Sequence, residues 1–278
     1  MTIIPFSHAP RVPKPLAIRT AMAVALTALC SSVSALPMFT FNPAGVALAG
    51  TAFTADNILI SDYATVRFGA GNTFTETGFL SISGAQLGGI TLLPGGLNSS
   101  YGMYISFSGN GSTGPGNPSL VGTSGTFSNL SYTLYGYNGT ATFGFDASNN
   151  PTETATGEKI LATGSLVSGS VATSPASAGN FTPSAAADLT FLIAAGANAF
   201  FVAPVPFPNL ALSSFTNTSS QVTRFDGGFS IGQGGGSFNF APVAAVPLPG
   251  TSALTFAGLC AVGLVKRRRK TTELAIAI

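Results

Sequence analysis

Histidine, cysteine, tryptophan and charge are all scarce in this sequence. Its 278 residues include one His, two Cys and no Trp, and charged residues make up 7%, against about 25% in an ordinary soluble domain. Two cysteines exclude a scaffold held by several disulfides. The only His is His8, and the cysteines are Cys30 and Cys260, so residues 36–247 contain neither type. Such a body lacks the residues of Ser-His-Asp and Cys-His catalysis and of ordinary zinc or copper sites. We therefore predict a protein that is not an enzyme and needs no cofactor.

The few charges are unevenly placed along the chain. Eight of the eleven basic residues lie within the first nineteen residues or at 266–270. Residues 36–247 carry three basic and eight acidic residues, a net charge of −5. A weakly acidic body repels phosphate backbones, which excludes nucleic acid as a partner. The 45% hydrophobic content is enough for a buried core, so the low charge does not indicate disorder.

The first 35 residues have the three parts of a secretory signal. Basic residues up to Arg19 precede an apolar run at 21–30, and small or modest residues follow at Val33 and Ala35, the positions that signal peptidase inspects. The run is too short to span a bilayer. We predict that residues 1–35 are a signal peptide, removed by signal peptidase after Ala35. An N-terminal membrane anchor is the alternative.

The C-terminal region has three parts in a different order. A Pro-rich stretch, extended because each Pro fixes φ and restricts its predecessor, leads into fifteen apolar residues at 251–265. A basic cluster follows: Lys266, Arg267, Arg268, Arg269 and Lys270. As a helix the apolar stretch only just crosses a hydrocarbon core, and the cations are expected to stay cytoplasmic. A short membrane stop behind an accessible peptide is typical of a segment that is cut.

Residues 243–270 resemble the PEP-CTERM sorting signal of Gram-negative bacteria. The resemblance rests on the processing motif Val246, Pro247, Leu248 and Pro249, on the short Gly/Leu-rich segment and on the basic cluster. Leu248 stands where Glu is usual, and a short tail, 271–278, extends beyond the usual end. The resemblance implies a membrane-anchored precursor in the inner membrane. Exosortase, a membrane protease-transferase, would cut it near the Pro-x-Pro motif and pass it to the cell surface, in species that make exopolysaccharide.

Two other interpretations of the C-terminus stay open. Residues 248–252 (Leu-Pro-Gly-Thr-Ser) differ at one position from the Leu-Pro-x-Thr-Gly signal of Gram-positive sortases, which would make this a sortase-anchored wall protein. An uncut membrane anchor is the other. The short apolar segment and the Val-Pro before Leu-Pro favour exosortase.

Residues 36–242 have a pattern of short β-strands separated by Gly, Pro and Asn. The clearest signal is Asn138-Gly139, a pair typical of type I′ turns, between β-branched or aromatic residues at 132–137 and 140–145, which predicts a hairpin. Further strand candidates are 101–107, 160–167, 189–193, 221–231 and 237–240. The sequence therefore predicts an all-β body, an antiparallel β-sandwich or jelly-roll-like domain. An N-terminal signal helix and a C-terminal transmembrane helix are expected outside it.

The acidic residues offer the remaining chemistry of the body. Asp146, Asn149 and Glu153 share a loop and supply oxygen ligands, which makes a weak calcium candidate without EF-hand spacing. A solvated turn is the simpler interpretation. A glycosidase needs two carboxyls about 5–10 Å apart across a groove. Such a pair would favour a carbohydrate-cleaving module, and the acids available for it are Asp56, Asp62, Asp146, Glu153 and Glu158.

Several stretches of the body are similar to the flocculation-associated PEP-CTERM proteins of floc-forming betaproteobacteria. These stretches are 53–57, 69–74, 132–138, 143–151 and 201–207. The resemblance implies an exported structural protein of the cell surface or extracellular matrix, which takes part with exopolysaccharide in flocculation or biofilm formation. A weakly charged surface rich in Ser, Thr, Asn and aromatic residues agrees with this, because it repels neighbours little and stacks on sugar rings. A secreted carbohydrate-binding module is the alternative.

Overall fold

The structure, a computed structural model, describes residues 36–114, 122–176 and 180–241. Regular structure in these ranges is nearly all strand, with short 3₁₀ helices at Pro43–Val46, Ala70–Asn72 and Ser219–Gln221. The strands in chain order are β1 (Phe39–Phe41), β2 (Phe53–Ala55), β3 (Asn57–Phe68), β4 (Thr73–Leu87), β5 (Ile90–Leu92), β6 (Tyr101–Thr113), β7 (Ser124–Asn138), β8 (Phe143–Phe145), β9 (Pro151–Glu153), β10 (Lys159–Pro175), β11 (Phe181–Thr190), β12 (Leu192–Ile193), β13 (Phe201–Ala203), β14 (Leu210–Thr216), β15 (Val222–Phe225) and β16 (Gly228–Phe240).

The main sheet closes on itself into a barrel. Its eight barrel strands, β3, β4, β6, β7, β10, β11, β14 and β16, follow one another around the sheet in chain order, and each neighbouring pair is antiparallel. The last strand, β16, pairs with the first, β3, from Phe238 opposite Ile58 to Gly228 opposite Arg67. The chain therefore runs up and down around one closed sheet.

The prediction of an all-β, antiparallel body is confirmed, but the expected sandwich or jelly roll is not what forms. A sandwich keeps two sheets with free edges, whereas the pairing of β16 with β3 leaves the eight barrel strands no edge. The signal helix and the transmembrane helix expected at the two ends lie outside the described residues. Within the described ranges, no helical segment has the length and apolarity that crossing a bilayer requires.

Alternating side chains give the barrel an inner and an outer face. In β3 the even-numbered residues from 58 to 66 are buried, and the odd-numbered residues from 57 to 63 are more exposed. Burial alternates in the same way along β4 from Phe74 to Ile82. Because successive side chains of a strand point to opposite faces, the buried set points into the barrel. This register points Asp62 and Glu76 inward.

Phenylalanine side chains fill one end of the barrel. β1 pairs with β2 and β13 in a small separate sheet, and Phe39 and Phe41 of β1 are 1% and 2% exposed. The Phe41 ring centre lies 4.8 Å from that of Phe200 and 6.2 Å from that of Phe240. Phe191 lies 4.9 Å from Phe240. Tilted and edge-to-face rings thus pack the end at which β16 finishes.

The chain bends at Asn138-Gly139, but the hairpin that this pair predicts does not form, so the prediction is wrong. Residues 132–137 belong to β7, which pairs with β6 and β10, while β8 pairs with β9. Gly139 has a φ of 86°, but Asn138 lacks the positive φ that a type I′ turn also requires. The Asn138 side chain, however, donates to Ala47 O (3.1 Å) and accepts from Ala49 N–H (2.7 Å). It therefore ties β7 to the loop after β1.

Candidate functional site

Inward-facing residues of the barrel line a partly open cavity of about 90 Å³. Its walls are mainly apolar and include Val66, Phe74, Phe127, Leu189 and Phe229. Asp62, Glu76 and Asn217 also line it, and we call these three residues the inner polar cluster. An eight-stranded barrel is just wide enough for side chains to fill it or for one small ligand. The cavity is therefore the candidate site.

Asp62 and Asn217 meet inside the barrel because a glycine leaves room for them. Asp62 is opposite Gly234 of β16. Asn217 directly follows β14, where its backbone N–H donates to Pro183 O at 3.1 Å, and its side chain forms a hydrogen bond with Asp62. A Cβ at position 234 would lie 2.0 Å from Asn217 Oδ1. Any other residue at 234 would thus displace the Asn217 amide.

Glu76 supplies a second buried carboxyl from the neighbouring strand. It lies opposite Val66 and is 8% exposed, while Asp62 is 3% exposed. Burial raises the pKa of Glu76 to about 7. Burial also raises the pKa of Asp62 well above its usual range; the Glu76 charge adds to this, and the hydrogen bond with Asn217 opposes it. Burial therefore shifts both carboxyls towards their neutral forms.

Two oxygens of the inner polar cluster have no hydrogen-bond partner in the described part of the chain. They are Asp62 Oδ1 and Asn217 Oδ1, and both are buried. Both atoms have almost no accessible surface, and Asn217 Oδ1 lies against Gly234. Most buried polar atoms in proteins have a partner, so the inner polar cluster is incompletely hydrogen-bonded within the described residues. It does not form a glycosidase cleft, because about 90 Å³ is too small for a saccharide chain.

The residues of the calcium candidate each serve a local contact. Asp146 Oδ1 accepts from the N–H groups of Ser148 and Asn150, both at 2.8 Å. Hydrogen bonds from Asn150 are the main reason that the pKa of Asp146 is lowered. Asn149 O accepts from Thr65 Oγ1 at 2.5 Å. Glu153 Oε2 accepts from the N–H of Ala155. Among residues 36–114, 122–176 and 180–241, no three His, Cys, Asp or Glu side chains are grouped to hold a metal ion.

Of the acids considered for carbohydrate cleavage, Asp62 lies in a barrel strand, whereas Asp56, Asp146 and Glu158 lie in the segments between strands. Asp62 lies inside, whereas Asp56 Oδ2 accepts from Gly88 N–H at 2.6 Å and Asp146 and Glu158 are exposed. The carboxyl that accompanies Asp62 is Glu76, which sequence reasoning missed. The available signal was the alternation along β4. Glu76 occupies every second position together with Phe74, Gly78 and Leu80, so it shares their inward face.

The residues predicted for processing cannot be located in the structure. The following lie outside the described residues: Val33 and Ala35 of the signal cleavage site, residues 246–249 of the sorting motif and the basic cluster at 266–270.

The chain was compared with protein-family models, with curated proteins and with solved structures, and none of the three comparisons found a match.

Proposed function

We propose that the protein is an exported, non-enzymatic structural protein of the cell surface or extracellular matrix, sorted by exosortase and active in exopolysaccharide-associated cell aggregation. The observation that carries this proposal is that the eight strands of the closed sheet, from β3 to β16, lie within residues 57–240. Removal of a signal peptide after Ala35 and of a sorting segment near Pro249 would leave every one of them. Processing at both ends is therefore compatible with an intact fold.

The closed sheet also suits a protein that works in a crowded matrix. The eight barrel strands have no free edge, so they offer no template for strand addition by another chain. Cells and polysaccharide would instead meet the outer face of the barrel. The low charge of that body, with three basic and eight acidic residues in 36–247, produces little long-range repulsion.

The intact mass of the protein from culture matrix and from membranes tests this proposal. We expect a matrix form that begins at Leu36 and ends between Pro249 and Thr251, with any added group. Pro249→Ala should leave the precursor in the membrane fraction, whereas Pro242→Ala, a matched proline ahead of the motif, should be processed normally. An uncut C-terminus found only in membranes would contradict sorting. An end at Thr251 joined to a thick cell wall would indicate sortase instead.

A groove on the outer face favours polysaccharide binding as a second candidate function. It has a volume of about 310 Å³ and is lined by aromatic and uncharged polar residues: Tyr63, Ser81, Asn98, Tyr137, Ala141, Thr142, Phe143 and Gln233. The β8–β9 hairpin forms part of it, and the rings of Tyr63 and Phe143 lie 5.7 Å apart. Aromatic rings beside amides and hydroxyls suit neutral sugars, which have an apolar face and many hydroxyl groups.

Affinity electrophoresis through gels that contain the host's exopolysaccharide tests this second candidate. Phe143→Ala removes a ring from the groove and should abolish retardation by the polysaccharide. Phe145→Ala removes the other ring of the same strand, which does not line the groove, and should leave retardation unchanged. Equal retardation of both variants and the unmodified protein would refute binding at this groove.

A further inference from the structure

The end of the barrel at which β16 finishes carries exposed apolar side chains. Five of them form what we call the exit patch: Met38, Leu192, Val202, Val205 and Leu210. We propose that the exit patch lies on a lipid bilayer while the chain is anchored, with its side chains in the interface between headgroups and acyl chains. This inference rests on the membrane-anchored precursor of the proposed function.

Backbone and ring contacts place one part of the exit patch where the chain continues towards its C-terminus. The N–H of Ala241, the last described residue, donates to Leu210 O at 3.0 Å. The ring centre of Phe240 lies 4.9 Å from that of Phe191, and Leu192 directly follows Phe191. Leu210 and Leu192 therefore lie close to the end of β16.

The small sheet brings the other part of the exit patch to the same place. Met38 directly precedes β1, and the antiparallel partner of β1 is β13, which contains Val202 and ends two residues before Val205. The start of one antiparallel strand lies beside the end of its partner, so Met38 and Val205 are neighbours. They are 63% and 87% exposed. The ring centre of Phe39 in β1 lies 4.9 Å from that of Phe240.

The exposed apolar residues are unevenly distributed over the barrel. Ten large hydrophobic residues are exposed in the described ranges, and nine of them lie at the end where β16 finishes or in the connections there. The tenth is Val167, 56% exposed, in the middle of β10. Single exposed hydrophobic residues are normal, whereas a group of them marks an interaction surface.

The position of the predicted membrane segment identifies the partner as lipid. Ten residues lead from Ala241 to Thr251, where the apolar stretch 251–265 begins, and ten residues span at most about 36 Å. The anchored body therefore always has a bilayer within reach of the exit patch. Residues 36–247 carry three basic and eight acidic residues, so burial of apolar side chains in the interface, rather than attraction to anionic lipid, would hold the body there.

Tryptophan fluorescence tests this proposal, because the chain has no Trp of its own. Single-Trp variants of the full chain are reconstituted in phosphatidylcholine vesicles that carry bromine, a fluorescence quencher, near the headgroup end of the acyl chains. We expect strong quenching of Val205→Trp and little quenching of Val167→Trp, which is the matched exposed valine. Equal quenching of the two variants would overturn the proposal, because the barrel would then have no preferred face towards the lipid.

Leu254→Trp, within the predicted membrane segment, separates this inference from the function on which it rests. Quenching of Leu254→Trp without quenching of Val205→Trp would overturn the docking of the exit patch and leave the anchored precursor intact. An unquenched Leu254→Trp would overturn the anchor and this inference with it.

A second substitution tests whether apolar contact holds the exit patch on the bilayer. Met38→Asp, added to Val205→Trp, should at least halve the quenching, because it removes apolar area from the interface and adds a charge. Val167→Asp, added to the same variant, is the control and should leave the quenching unchanged. Undiminished quenching in the Met38→Asp variant would overturn the proposal.

Discussion

At the scale of single residues, Gly234 determines whether the inner polar cluster can form. It lies opposite Asp62 in the pairing of β16 with β3, and the Asn217 amide occupies the space that a side chain at 234 would need. Gly235, the next residue, has a different environment. A Cβ there would meet only Thr216 O, at an ordinary 3.7 Å.

We expect Gly234→Ala to lower the free energy of unfolding by about 2–3 kcal/mol, because it forces Asn217 away from Asp62 in a packed interior. Gly235→Ala is the matched control and should change that free energy by less than about 1 kcal/mol. Urea unfolding followed by circular dichroism measures both. Equal effects of the two substitutions would show that Asn217 can move aside freely.

The inner polar cluster was only partly predictable from sequence. Asp62 is among the acids that the sequence offers for a carboxyl pair, but the acids named with it do not include Glu76. Glu76 gains its meaning only from the inward register of β4, where it is opposite Val66. Asn217 gains its meaning from contacts with residues distant in the chain, Asp62 and Pro183. A local pattern shows which residues share a face, but not which face is inside.

At the scale of elements, strand positions were predicted better than strand partners. The candidates at 101–107, 160–167 and 237–240 lie within β6, β10 and β16. The candidate at 221–231 is two strands, β15 and β16, joined by a turn at Asp226-Gly227. Barrel closure has no local signature, because β3 and β16 are separated by most of the chain and the same alternation would serve a sandwich.

The Asn138 anchor explains why the predicted hairpin is replaced, and it can be tested by itself. Asn138→Ala removes the hydrogen bonds to Ala47 O and Ala49 N–H, and we expect it to lower the free energy of unfolding by about 1–3 kcal/mol. Asn129→Ala, at an exposed position of β7, is the control and should have little effect. Guanidinium unfolding of the two variants measures the difference. No difference between them would mean that the turn holds without its anchor.

At the scale of the whole molecule, two buried carboxyls make stability depend on pH in an unusual direction. Burial raises the pKa values of Asp62 and Glu76, so folding favours their protonated forms. Glu76 has an ordinary pKa of 4.5 and a folded pKa of about 7. Below pH 4.5 its proton is bound in both states and stability is highest. As the pH rises towards 7 the unfolded chain loses this proton first, so the free energy of unfolding falls.

We therefore expect the protein to be more stable at pH 5 than at pH 8, with Glu76 contributing about 3 kcal/mol to the full change. No His lies after His8, so no imidazole in the body titrates in this window. Glu76→Gln cannot titrate and should flatten the profile, leaving the part due to Asp62. Asp146→Asn is the control: the lowered pKa of Asp146 acts only below its ordinary 3.8, so the slope from pH 5 to 8 should persist. Urea unfolding at each pH measures these slopes. A wild-type protein that gains stability from pH 5 to 8 would contradict the raised pKa values of Asp62 and Glu76 and would mean that the two carboxyls are charged inside the barrel.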